Sequence, residues 1–113
     1  MRVLPAPDEA IWVGVLRCLV RVPGARSLKD RRHVVHSLRD RVQSRHHASF
    51  AEVGYLDAVD RVVVAIAVVG NDSRVLQSRL DSIFSELERH AEAVVEDRVL
   101  ELVPMGELAG RMG

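Results

Sequence analysis

The chain holds a single cysteine, Cys18, among its 113 residues. An internal disulfide is therefore impossible, and so is a zinc site built from cysteines. Aromatic side chains are almost as scarce, with one Trp, one Tyr and two Phe. A sheet that reads bases by stacking needs aromatics on its central strands, and only Trp12 is placed for that, which argues against base stacking. Long apolar runs are missing too. The longest lies near Val62–Val69, far short of the ~20 residues of a membrane-spanning helix. The start, Met1-Arg2-Val3-Leu4-Pro5, has no signal-peptide core. With the lone thiol, these absences lead us to expect a cytoplasmic protein.

What is present is a globular balance: 48% hydrophobic and 28% charged residues, enough for one domain with one core. The net charge is zero but unevenly spread. Residues 1–47 hold ten Lys/Arg and four acids, 10 − 4 = +6, and residues 48–113 hold six and twelve, 6 − 12 = −6. Such a split prompts a search for an anionic partner. It is equally met by two halves that attract each other in the fold.

Residues 1–10 show no period and are expected to form a loose leader. Ile11 to Val22 alternates as a strand, with Trp12, Leu16, Cys18, Val20 and Val22 on one side. Ile11, Val13, Val15, Arg17, Leu19 and Arg21 take the other. Pro23-Gly24 stops it. Ser27-Leu28-Lys29-Asp30 has the capping-box form, with a carboxylate three residues after the serine. The helix behind it carries Leu28, Val34, Val35, Leu38 and Val42 in one stripe and ends near His46-His47.

Ala48 to Tyr55 reads as a second strand, Leu56 to Asp60 as a turn, and Arg61 to Val69 as a β-branched third strand. Gly70-Asn71-Asp72-Ser73 supplies N-cap candidates, of which Asn71 is read as a cap. A second helix has Leu76, Leu80, Ile83, Phe84, Leu87 and Ala91 on one face. A last strand spans Val95 to Val103, Pro104 closes it, and the tail from 104 to 113 is expected to be flexible. The order β-α-β-β-α-β predicts an α+β, ferredoxin-like sandwich over 11–103, with two helices on one face of a four-stranded antiparallel sheet. The first and third strands are central.

Four stretches carry a resemblance: Trp12-Val13-Gly14-Val15-Leu16, then Val22-Pro23-Gly24-Ala25-Arg26-Ser27-Leu28-Lys29-Asp30-Arg31-Arg32, then Ala51-Glu52-Val53, then Val68-Val69-Gly70-Asn71-Asp72. The chain resembles the YlxP-like family of small bacterial proteins of unassigned function, over about residues 11–103. The Pro-Gly-Ala-Arg-Ser-Leu-Lys stretch is its specific part. The resemblance implies a ferredoxin-like fold and a gene neighbourhood of translation and ribosome-maturation factors, hence a role near RNA or the ribosome. It implies no catalytic residues. Arg31 stands where the family pattern has lysine.

One corner could carry chemistry. Arg26, Lys29, Arg31 and Arg32 crowd the start of the first helix, where acids are the usual occupants, and only Asp30 opposes them. Arg31 projects into the apolar stripe, so it must reach the rim, pair with a carboxylate such as Glu52, or hold an anion. With Arg39 and Arg45, these residues form the expected RNA- or anion-binding set. A non-enzymatic RNA or ribosomal-particle binder is the leading expectation. A sensor of a small anionic ligand comes second. An acyl-phosphate hydrolase is weakest, because its phosphate corner is shared by topology alone.

His33 and His36 lie one turn apart on the polar side of the first helix, with no third ligand in view, so no metal and no cofactor are expected. No nucleophile–base pairing points to catalysis, and Glu52, Asp57 and Asp60 read as turn acids. The sheet's outer face is unusually apolar. Val13, Val15 and Leu19, with Val63, Ala65 and Ala67, should face a partner, most simply a second copy in a homodimer.

Overall fold

The computed structural model describes residues 10–105. The N-terminal leader, except Ala10, and most of the C-terminal tail lie outside them. The elements are β1 (Trp12–Arg21), α1 (Leu28–His46), β2 (Ser49–Gly54), β3 (Arg61–Gly70), α2 (Ser73–Glu88) and β4 (Val94–Pro104). All strand pairs are antiparallel and the sheet order is β2-β3-β1-β4. The expected α+β ferredoxin-like sandwich is therefore the fold, with β1 and β3 at its centre.

The two helices cover one sheet face because their apolar stripes match its inward residues. Leu16, Cys18 and Val20 of β1 and Val62, Val64 and Ile66 of β3 are fully buried. Val35, Leu38 and Val42 of α1, with Leu76, Leu80, Ile83 and Leu87 of α2, close over them. Each large side chain so buried contributes about 1.5–3 kcal/mol of transfer free energy. Leu100 and Leu102 extend this layer onto the edge strand β4.

Two boundaries differ from the periodicity. The second helix ends at Glu88, so Ala91 is exposed beyond it and not part of its buried stripe. Arg89 caps α2 in a right-handed conformation, and the His90 amide donates to Leu87 O at 3.2 Å, which turns the chain toward β4. Pro104 does not close the last strand from outside but is its final residue, opposite Trp12. That is allowed because β4 is an edge strand, where a missing N–H costs no ladder bond.

The α2 cap also shifts by one residue. Asp72, not Asn71, is the N-cap, and its Oδ1 accepts from the amides of Arg74 and Val75 at 2.9 and 3.4 Å. A carboxylate there also suits the positive end of the helix. Among the described residues, no helix is long and apolar enough to cross a membrane.

Candidate anion-binding corner

The corner is assembled by the turn after β1 and the first turn of α1. Ala25 N donates to Val22 O at 3.1 Å, which folds the chain at Pro23-Gly24. Ser27 is the extended N-cap and accepts the Asp30 amide at 3.1 Å. Asp30 Oδ2 in turn accepts the Arg26 amide at 3.0 Å, one residue before the cap. The box thus satisfies two backbone donors, so recognition at this corner rests largely on side chains.

These segments wall a cavity of 670 Å³. Val22, Pro23, Gly24 and Ala25 form one side, and Lys29, Asp30, His33 and Val34 of α1 form a second. Ala91, Glu92 and Val94, in and just after the α2–β4 connection, complete it. This third wall was hidden from the periodicity, because a helix run on through Ala91 leaves no turn to build it. A mixed lining of apolar residues and a few charges is what a small-ligand site requires.

The six basic candidates separate. Arg26, Lys29 and Arg32 are exposed and form no ion pair among the described residues. Arg31 does not belong with them. It is 2% exposed, and its Nη2 donates to Glu52 Oε1 at 3.1 Å. Its Nη1 donates to the backbone oxygens of Tyr55, Ala58 and Arg61 at 3.0, 2.6 and 3.3 Å. Of the three fates open to Arg31, the structure has the internal pair, with the carbonyls of the β2–β3 connection added. Arg39 lies 3.3 Å from Asp40, and Arg45 lies 2.9 Å from Glu86. Both stand away from the cavity lining.

A second polar cluster escaped the sequence reading. Glu86 sits within α2's buried stripe and accepts from Arg45 Nη1 at 2.9 Å and His46 Nε2 at 3.0 Å. Burial alone would raise its pKa, but the His46 and Arg45 hydrogen bonds outweigh burial and hold the carboxyl below its ordinary 4.5. His90 is buried nearby in sequence. Its Nδ1 accepts the Glu92 amide at 3.2 Å, so Nε2 carries the hydrogen toward Ser37 Oγ, also at 3.2 Å. Burial first, then the Arg41 charge, lower the His90 pKa from 6.5. His33 and His36 are exposed on α1, and among the described residues no three potential metal ligands gather.

The expected poverty of the sheet in base-stacking groups is visible in its outer rows. Trp12 and Phe50 lie on the helix side, packed against the core. Trp12 stands opposite Gly70, where an added Cβ would meet Leu76 Cδ2 at 3.0 Å.

Two comparisons bear on this architecture. The chain is 30% identical over 83 residues to an uncharacterised protein YlxP of Bacillus subtilis (strain 168), an alignment spanning 68% of this chain and 90% of the relative. A family model described as a protein of unknown function, DUF503, matches residues 13–99, from the first strand into the last, and the chain belongs to that family.

Proposed function

We propose that the protein is a non-enzymatic binding protein for RNA, free or in a ribosomal particle, and that it holds backbone phosphates with Arg26, Lys29 and Arg32. The observation that carries this reading is their arrangement. Three exposed cations that form no ion pair among the described residues gather at the positive end of α1, and one of them, Lys29, lines the cavity. Arg31, Arg39 and Arg45 drop out of the set because each already holds a carboxylate. An RNA partner of this kind places the protein in the cytoplasm.

Salt dependence tests it. Three phosphate contacts on single-stranded RNA give a slope of about −2 in log K against log salt. Arg26→Ala, Lys29→Ala and Arg32→Ala together should flatten the slope and weaken binding at least tenfold, with the fold unchanged. Binding of ribosomal RNA that ignores both salt and the triple substitution sinks the proposal. Turnover of an acyl phosphate would sink its non-enzymatic part.

A second reading is a small anionic ligand held by Lys29 and His33 in the cavity, whose lining also carries Asp30 and Glu92. A rise in melting temperature with inorganic phosphate or a nucleotide, lost in Lys29→Ala, would favour this reading over the first.

A further inference from the structure

The sheet face turned away from the helices is arranged in rows by the strand register. One row is Val69–Val13–Val103, and the next is Ser49–Ala67–Val15–Glu101. Below them come Ala51–Ala65–Arg17–Val99 and then Val63–Leu19–Asp97. Val69 is 63% exposed, Val53 51% and Val99 40%. A half-solvated antiparallel sheet alternates apolar and polar residues, and this face does not.

The charges on it are few and ordered. Over residues 13–19 of β1 and 63–69 of β3, Arg17 is the single charged residue. Asp97 and Glu101 flank it diagonally on β4, each two residues from Val99, the residue paired with Arg17. Arg17 is exposed and forms no ion pair among the described residues. A lone arginine inside an apolar patch, with two carboxylates at the rim, is the pattern of a self-complementary surface.

We propose that a second copy of this chain covers the face, with a two-fold axis crossing β1 beside Leu16, so that Arg17 of each copy pairs with Glu101 of the other. That axis sets row 17 against row 15 and row 13 against row 19. Val13 and Val69 then meet Leu19 and Val63, Asp97 at the β4 edge faces Val103, and each arginine reaches the row that holds Glu101. An axis one step further, at Cys18, would instead set Arg17 against the row of Asp97, an alternative that the charge swap at Glu101 distinguishes. Four strands about 4.8 Å apart and ten residues rising about 3.3 Å each give a face on the order of 600 Å² per copy. Two such faces bury about 1,200 Å², the lower edge of stable interfaces.

The test is sedimentation of the full chain from about 1 to about 100 µM. The expected species has twice the 12.6 kDa chain mass at the upper end. Arg17→Glu should raise the dissociation constant at least tenfold, and adding Glu101→Arg should restore it to within threefold. Ala65→Lys, whose side chain enters solvent and leaves the core alone, should dissociate the dimer while the far-ultraviolet circular dichroism stays native. A monomer at 100 µM overturns the proposal, whatever else covers the face. So does a dimer indifferent to Arg17→Glu and Ala65→Lys. Loss on Arg17→Glu without rescue by Glu101→Arg overturns the pairing. None of these outcomes depends on RNA binding.

Discussion

Arg31, on the first turn of α1, reaches Glu52 on β2 at 3.1 Å and collects the carbonyls of Tyr55 and Ala58 in the β2–β3 connection and of Arg61 at the start of β3 with its other terminal nitrogen. One guanidinium therefore fastens a helix to a hairpin. Tyr55, with φ of 52°, needs such an anchor, because a bulky side chain rarely adopts a left-handed backbone. The Arg31 Nε is buried without a partner, so the site is held at some cost.

Removing the anchor should destabilise the fold more than removing its carboxylate. Arg31→Met removes the donor to the Ala58 and Arg61 carbonyls and to Glu52, while the Tyr55 carbonyl keeps the Ala58 amide, and about 3 kcal/mol is expected from urea unfolding. Arg31→Lys should fall between, since one ammonium cannot reproduce the fork. Glu52→Gln should cost about 1 kcal/mol, because the Glu52 side chain is 28% exposed and water replaces part of the loss. Equal effects of Arg31→Met and Glu52→Gln would refute this ranking.

The layout of the sandwich was legible because its signals agree: period two in β1 and β3, period 3.6 in both helices, and Ser27 and Asp30 at a helix start. The candidate site was legible only in part. Charge type along the chain shows that Arg26, Lys29, Arg31 and Arg32 cluster, but not which of them points inward. Arg31 lies four residues before Val35 on the buried stripe, and Glu52 lies opposite Val64 on the core side of the sheet. Their meeting depends on the β2–β3 register, which a bulge resets between Glu52 and Gly54. The third wall of the cavity depends on where α2 stops, and a helix end is weakly marked when no glycine or proline follows it.

Glu86 should make the protein acid-sensitive. Its folded pKa lies below 4.5, so its contribution to stability is complete above that value and is lost as pH falls through the lowered one. Glu86→Gln should flatten this part of the acid limb, measured as urea midpoints from about pH 5 downward. It should also loosen the end of α1 that Arg45 and His46 tie to α2. An acid limb identical to that of the wild type would remove Glu86 from the account.

His90 acts in a separate window. Its folded pKa is lowered from 6.5, so the unfolded chain takes up a proton first, and stability falls as pH drops below 6.5. His90→Asn keeps a polar group near Ser37 but cannot titrate. The variant should be less stable at pH 8 and lose less on going to pH 5.5. The two substitutions together should show near-additive pH profiles, since their windows are separate. A wild-type stability that is flat between these values would contradict the assignment.

Cys18 should be chemically silent in the native state. Burial first, with the Asp97 and Glu88 charges adding to it and Arg98 opposing, pushes its pKa up to about 11. At pH 8 only about one thiol in a thousand is ionised, and the side chain is 0% exposed. An aromatic disulfide reagent should label it only in denaturant, and native labelling should follow the global unfolding rate. Stoichiometric labelling of the native protein within minutes would mean that β1 opens locally.

At Gly14 a side chain of α2 packs directly over the β1 backbone. A Cβ added there would lie 2.9 Å from Leu80 Cδ1, 3.1 Å from Leu102 Cδ2 and 3.3 Å from Val68 Cγ2. The nearest atom is the end of a flexible side chain, but Leu80 is fully buried and has little room to turn. Gly14→Ala gains about 0.4–1 kcal/mol by restricting the unfolded chain. Overpacking costs about 1–3 kcal/mol, so the net effect is a loss of up to about 2.6 kcal/mol, about 1 kcal/mol at mid-range. Leu80→Val shortens the obstructing side chain. If the contact is the cause, the double variant should be less destabilised than the sum of the singles, by at least about 0.5 kcal/mol in a double-mutant cycle. Strict additivity would place the cost elsewhere, in Val68 or Leu102, and Leu102→Val should then show the coupling instead.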